Sequence, residues 1–315
     1  MRLRNVLSAL VYVSLVSACQ TGSDGDNPSA DDLPTYSLTT TELSFSTGKY
    51  SIPSGDSFEC FYTPIITDRE LNIHNGYGKQ APGGHHITVY YTITDKQKPG
   101  HHPCKDEEMV NLRMVAGVND GTGGSAEGLV ELPEGLAIRV PAGAQIVTQS
   151  HYINASLNER QVNDHATVNL LSPEQVKSYS NYMVFNDADF EIKPMAPLQR
   201  VTTCVTPREV NLVLYLGHMH EKGTFYKLER IDDKGQQLEL LYEHNWEPAF
   251  TSHPPVRHFP MEAPKVLPKG TRLRQTCKWM NNTTSAVRFP REMCLAFMYY
   301  FPDAGELDCE IQSGM

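Results

Sequence analysis

Beyond its first nineteen residues the chain has no apolar run long enough to cross a membrane, and no long stretch in which apolar residues recur every 3.6 positions. The first absence argues against membrane-spanning helices, the second against a helical bundle. There is no internal repeat of fixed period, which argues against a solenoid. There is also no basic stripe: acidic and basic residues are mixed and the formal net charge is −10. Neutralising phosphates takes clustered cations, so nucleic acid is not an expected partner.

What is there reads as strand. Segments such as HITVYYTI (86–93), QIVTQSHYINAS (145–156), VNLVLYL (210–216), TRLRQTCKWMN (271–281) and MCLAFMYYF (293–301) are rich in β-branched and aromatic residues. The 21 Pro and 22 Gly, with Asn and Asp, punctuate them. Helix is expected only in short pieces, one near PEQVKSY. A length of 315 residues suits two domains, and Ser172–Ser178, between two strand-like runs, is the best internal break. The expected fold is all-β: two consecutive jelly-roll-like antiparallel β-sandwich domains, residues 37–175 and 176–315.

The N-terminus has the shape of a secretory signal: Arg2 and Arg4, an apolar run from Val6 to Val16, small residues, then Cys19. The ending LVSAC resembles a bacterial lipobox, so residues 1–18 are expected to be a signal peptide and Cys19 the lipid-bearing first residue; an ordinary signal with a nearby cysteine is the alternative. Residues 19–36, polar and acidic, read as a flexible tether. The expected location is therefore outside the inner cell compartment, held to a bacterial membrane only by a lipid at Cys19. Export implies an oxidising compartment, in which the six remaining cysteines can pair. Six cysteines allow 15 pairings, and spacing alone does not choose among them.

Four short motifs carry candidate chemistry. In LGHMHEKG, His218 and His220 stand two apart on a strand and so share a face, while Met219 points away. Such a pair is either hydrogen-bonded at the surface or two corners of a metal site. In PGGHHITVYYT, His85 and His86 are adjacent; to reach one ion they need a twist or bulge after Gly83-Gly84, or different ring nitrogens, with Nδ1 expected for His85 and Nε2 for His86. A bare His-His is unspecific, because His101-His102 recurs in KPGHHPC; that pair reads as a solvated turn and a non-ligand. His151 lies on an alternating strand in QSHYIN. In REMCLAFMYY, Met293 and Cys294 are expected on opposite faces of a strand; Met293 can reach a cleft, although a methionine in an apolar strand is core by default.

Taken in order, GGHHITVYY, QSHYIN, GHMHEKG and EMCLAFMYY resemble the copper motifs of the ascorbate-dependent type 2 copper monooxygenases, the family of the peptidylglycine and dopamine hydroxylases. The resemblance runs over roughly residues 45 to 312. It implies a first copper held by His85, His86 and His151, and a second, catalytic copper held by His218, His220 and Met293. It also implies the pairings Cys60–Cys104, Cys204–Cys309 and Cys277–Cys294. The implied activity is hydroxylation of a C–H bond in a small-molecule substrate, using O2, two copper ions and ascorbate or another one-electron donor.

The ligand chemistry points the same way. Three imidazoles suit copper, zinc and iron alike, but a thioether is soft and favours Cu(I). The chain departs from the family at the substrate. Leu216, Leu295 and Phe297 stand where the peptide-specific enzyme has an arginine, an asparagine and a tyrosine, so a carboxylate clamp for a glycine-extended peptide is not expected. Two other readings stand beside the monooxygenase. One is a copper-binding lipoprotein without turnover; the other is a zinc hydrolase or β-sandwich binding module with coincidental histidines.

Overall fold

The computed structural model describes residues 33–118, 131–251, 253–289 and 291–312. The signal segment 1–18, Cys19 and most of the tether lie outside the described residues. The tether is shorter than expected at its far end, because Thr35–Leu38 already pairs with Glu42–Ser46.

The chain is all-β, as its composition dictates. Among the described residues, helix is limited to Asp106–Met109 and to 3-10 turns at Pro173–Gln175 and Pro248–Thr251. In the first half, Gln145–Asn154 runs through the middle of a five-stranded sheet, flanked by Gly55–Ile66 and Gly84–Thr92. The edges of that sheet are Gly100–Pro103 and Arg113–Val118. Facing it are Glu42–Ser46, Asp164–Leu170, Leu71–Gln80 and Leu136–Val140, and Ile73, Ile87, Val89, Ile146 and Val168 fill the space between. In the second half, one sheet holds Ser178–Asn186, Leu295–Phe301 and Val210–His218, and the other holds Gly223–Ile231, Arg272–Asn281 and Ala196–Val205. Phe185, Tyr226, Trp279 and Met298 pack between these two sheets. Face-to-face antiparallel sheets with alternating inward residues make each half a sandwich.

The halves are less separate than two linked sandwiches. Leu136–Val140 pairs in parallel with the start of Ser178–Asn186, from Ser178↔Leu136 to Ser180↔Ile138, so one 11-stranded sheet runs through both halves. The 3-10 turn at Pro173–Gln175, capped reciprocally by Ser172 and Gln175, delivers the second half to that edge. An open edge is a row of unpaired backbone groups, and this pairing satisfies it. Leu214, Tyr182 and Tyr299 of the second half are buried in the same apolar cluster as the first-half core. Three disulfides, Cys60–Cys104, Cys204–Cys309 and Cys277–Cys294, are the ones the family resemblance implied, and each stays within one half.

Gly217, just before His218, has a packing reason to be glycine. A Cβ there would lie 2.5 Å from the ring of Tyr226, which is fully buried and whose hydroxyl is hydrogen-bonded to Gln275 Oε1. Overpacking a fixed aromatic ring of this kind costs about 1–3 kcal/mol. We expect Gly217→Ala to lower the denaturant midpoint accordingly; an unchanged midpoint would show that Tyr226 is free to move.

Candidate metal centre

Two adjacent histidines on a regular strand would face opposite ways. The chain avoids this with a bulge. Gly83 takes a φ of +90°, open to glycine, and the Gly84 amide turns back to the Ala81 carbonyl at 2.9 Å. Against the neighbouring strand, His86 pairs with His151 and Gly84 pairs with Tyr152, so His85 is the extra, unpaired residue. His85 and His86 therefore reach the same side. Their Nδ1 atoms lie 3.1 Å apart, and ligand atoms of His85, His86 and His151 all lie within 4.8 Å of one another. With His85 displaced by the bulge, the two rings meet through Nδ1, so both can turn the same nitrogen to the centre.

His151 is oriented from behind. Its Nε2–H donates to Asp56 Oδ1 at 2.6 Å, and Phe58 stacks on the ring at 3.9 Å. That tautomer leaves Nδ1 as a bare acceptor, and Nδ1 is buried with no hydrogen-bond partner. A buried ring nitrogen without a donor, next to two more imidazole nitrogens, fits a metal ion and fits an apolar core poorly.

The second pair sits at and just beyond the end of Val210–His218. His218 and His220 face each other through Nε2 at 3.1 Å, while Met219 is fully buried in the core on the other side. His220 Nδ1–H donates to the Arg291 carbonyl at 3.1 Å, which again leaves the inward nitrogen unprotonated. Met293 is not within a strand, as the sequence suggested: Leu295–Phe301 starts two residues later, and Glu292 and Met293 form an irregular lead-in. His218 pairs with Leu295, where the ladder ends, and Met293 stands two residues before Leu295 on the adjoining irregular segment. Two imidazole nitrogens joined by a thioether would be a donor set suited to Cu(I).

The two sets are not far apart. Ring centroids of His85 and His220 are 6.5 Å apart, and those of His151 and His220 are 6.3 Å apart. A cavity of about 250 Å³ lies between the halves, lined by Asp56, His85, His151, His220, Arg291 and Glu292 among others. A larger, open cavity of about 580 Å³ beside Phe190 and Phe289 contains no histidine, and its two arginines are paired with Asp187 and Glu191.

Electrostatics at the centre favour neutral imidazole. Burial first, then the neighbouring rings His151 and His220, push His85 down to about 3; burial and His151 bring His220 down to about 4. Burial also holds His86 and His218 well below the usual range. At Asp56, burial works upward but is outweighed by the hydrogen bond and charge of His151, and the net shift is downward. Burial raises Glu292 to about 7 against the amides and the Trp279 indole that hydrogen-bond to it.

His101 and His102 are outside both sets. They lie on the edge strand Gly100–Pro103 and not in a solvated turn, and stack on Phe61 and Tyr62 at 5.0 and 5.7 Å. Leu216 and Phe297 face each other across paired strands on the face that carries His218, both leucines 216 and 295 are buried, and Phe297 packs toward the first half. Sequence reasoning missed Asp56 and Glu292. Asp56 is 95 residues from His151 and is brought near only by strand pairing, whereas Glu292 does carry a signal, a carboxylate directly beside a proposed ligand.

No family model matches the chain, and no curated protein matches it. Among solved structures, the major capsid protein of Sulfolobus Turreted Icosahedral Virus aligns at 8% identity and a TM-score of 0.31, over 85% of this chain and 96% of that one. The first such structure, of the same virus, gives a TM-score of 0.24 at 8% identity, and this chain spans only 60% of its length. The major capsid protein P2 of bacteriophage PM2 gives 0.23 at 9% identity, over 87% and 100% of the two chains. At these scores the likeness says nothing about function.

Two outcomes follow for the metal-free protein and its variants. The unfolded chain binds protons on these histidines near the ordinary value of 6.5, whereas the folded chain refuses them until about 4 for His220 and about 3 for His85. Stability should therefore be fully present above about pH 6.5 and fall as the pH drops toward 3, because in that window the unfolded state takes up more protons. Chemical denaturation from pH 8 to pH 4 measures this, and a flat profile would contradict it. If the centre takes up copper, replacing both His101 and His102 with Ala should leave its stoichiometry unchanged, while His86→Ala should remove one equivalent; elemental analysis after dialysis distinguishes the two.

Proposed function

We propose that this chain is an exported copper-dependent monooxygenase that hydroxylates a C–H bond of a small organic substrate with O2 and a one-electron donor such as ascorbate. The observation that carries the reading is the gathering of His85, His86 and His151, with His85, His151 and His220 lining one cavity and His218 bonded to His220 beside it. It agrees with the motif resemblance to the type 2 copper monooxygenases. Copper, when bound, would supply one electron from each of two ions, so that one oxygen atom enters the substrate and the other leaves as water.

The chain's own residues supply the setting. Asp56 and the Arg291 carbonyl fix the tautomers of His151 and His220, so that the inward nitrogens carry lone pairs. Burial keeps His86 and His218 neutral and limits water around them. The enclosed volume of about 250 Å³ suits a small molecule, and the apolar Leu216, Leu295 and Phe297 offer no clamp for a peptide carboxylate. A signal segment and lipidation at Cys19 would hold the protein at a bacterial membrane.

Copper titration with an oxygen-uptake readout tests the proposal. We expect two coppers per chain and ascorbate-dependent uptake that rises with a C–H substrate. Two coppers without uptake would favour a copper-binding lipoprotein, and purification with zinc alone would overturn both. Met293→His should keep copper at the second site, since imidazole is itself a good ligand, but turnover should fall strongly because the balance between Cu(I) and Cu(II) shifts. Thermal stability, copper content and oxygen uptake on one preparation check this. Wild-type turnover in a copper-loaded Met293→His protein would remove Met293 from the site.

A further inference from the structure

The ends of the second ligand set are not held by sheet pairing. Val210–His218 stops at His218, Leu295–Phe301 starts after Met293, and both His220 and Met293 lie in irregular backbone. Two donors on separate irregular segments need something else to fix their distance. A side chain that touches both segments is Glu292, which is 1% exposed.

Its carboxylate gathers three donors from two directions. Oε2 accepts from the His220 backbone N–H at 3.1 Å and from the Trp279 indole Nε1–H at 3.0 Å, and Oε1 accepts from the Lys222 backbone N–H at 2.6 Å. The neighbouring residues add to the grip. The Arg291 carbonyl takes the His220 ring proton, and Cys294 is tied to Cys277 on the strand that also carries Trp279. A buried carboxyl group that accepts from several donors is held stiffly in place. The His-Met-His turn is thus tied through one carboxylate to the residue next to Met293.

We propose that Glu292 is a positioning residue for the second metal site: it sets the spacing of His220 and Met293 and thereby the affinity of that site for Cu(I). The inference rests on the copper reading above. In this role Glu292 acts through the backbone and indole donors that its two oxygens accept from, and not as a ligand. Loss of an outer-shell partner of a metal ligand costs about 10–100-fold in metal affinity.

The test compares the wild-type protein with Glu292→Gln and with Glu229→Gln. Glu229 is a second buried carboxylate of the same half, paired with Lys227 and Arg274 away from the histidines, and its loss reports general destabilisation. Cu(I) is titrated against a chromophoric chelator, and the copper–sulfur distance is followed by X-ray absorption. In Glu292→Gln we expect the second site to weaken about 10–100-fold and the copper–sulfur signal to fade, with the His85/His86/His151 site unchanged. Glu229→Gln should lower Tm and leave both affinities as they were. Amide hydrogen exchange on the wild-type protein gives a readout that needs no variant: His220 and Lys222, beyond the end of their strand, should exchange slowly. A Glu292→Gln protein with wild-type affinity and copper–sulfur signal, equal weakening of both sites, or rapid exchange at those amides would each overturn the inference. A wild-type protein that binds no second copper would overturn the copper reading itself, and this inference with it.

Discussion

Five imidazole rings from three stretches of chain converge where the halves meet, and at centroid separations of 4.5–6.5 Å a proton on one ring raises the cost of a proton on the next. Burial adds to the same effect, since it withholds the water that would stabilise imidazolium. His85, His86, His218 and His220 are thereby kept neutral, and of the two nitrogens that meet within each pair at most one can carry the hydrogen. Much of the surrounding structure manages this tension. Asp56 and the Arg291 carbonyl each draw a ring proton outward, and Phe58 covers the His151 ring. The buried His151 Nδ1, without a hydrogen-bond partner, is unfavourable for an apolar core.

The second requirement is that rings from separate halves hold still relative to one another. Shared backbone pairing between Leu136–Val140 and Ser178–Asn186 does part of this, and the apolar cluster that mixes Tyr182, Leu214 and Tyr299 with first-half residues does the rest. The central strand of each half also ends in the same local device: Asn154 and Asn281 each accept from the residue two further on and donate to carbonyls around the turn. These asparagines stiffen the ends of the strands on which His151 and Trp279 stand. Glu292, bonded to Trp279, links that frame to the His220 turn.

Much of this was legible in the residues alone. Strand-like runs cut by Pro, Gly and Asn announced an all-β chain, and the i, i+2 spacing of His218 and His220 announced a shared face, because both follow from local geometry. The His85-His86 pair announced only a conflict; that a bulge resolves it, with His85 as the extra residue, depends on the register against His151 sixty-odd positions away. Asp56 was invisible for the same reason. The shared sheet was missed because a three-residue parallel contact leaves no pattern in sequence, and His101-His102 was misplaced because an edge strand of four residues reads like a turn. Met293 was expected within a strand whose apolar run does extend to it; burial of the Glu292 carboxylate and its capture of two loop amides stop the ladder short.

The bulge at His85 makes the first histidine set depend on the number of residues in its loop as much as on their identity. From His86 onward the strand alternates faces with every position, so losing a single residue between Ala81 and His85 while the bulge is kept would slip the pairing by one and turn Ile87 and Val89, now fully buried, toward the opposite side. Replacements in that loop disturb one side chain; a single-codon gain or loss disturbs every side chain down to Thr92. Lineages descending from this chain should therefore vary at Lys79–Pro82 by substitution while the length of the segment stays fixed, a constraint of counting that acts even where no individual residue is needed.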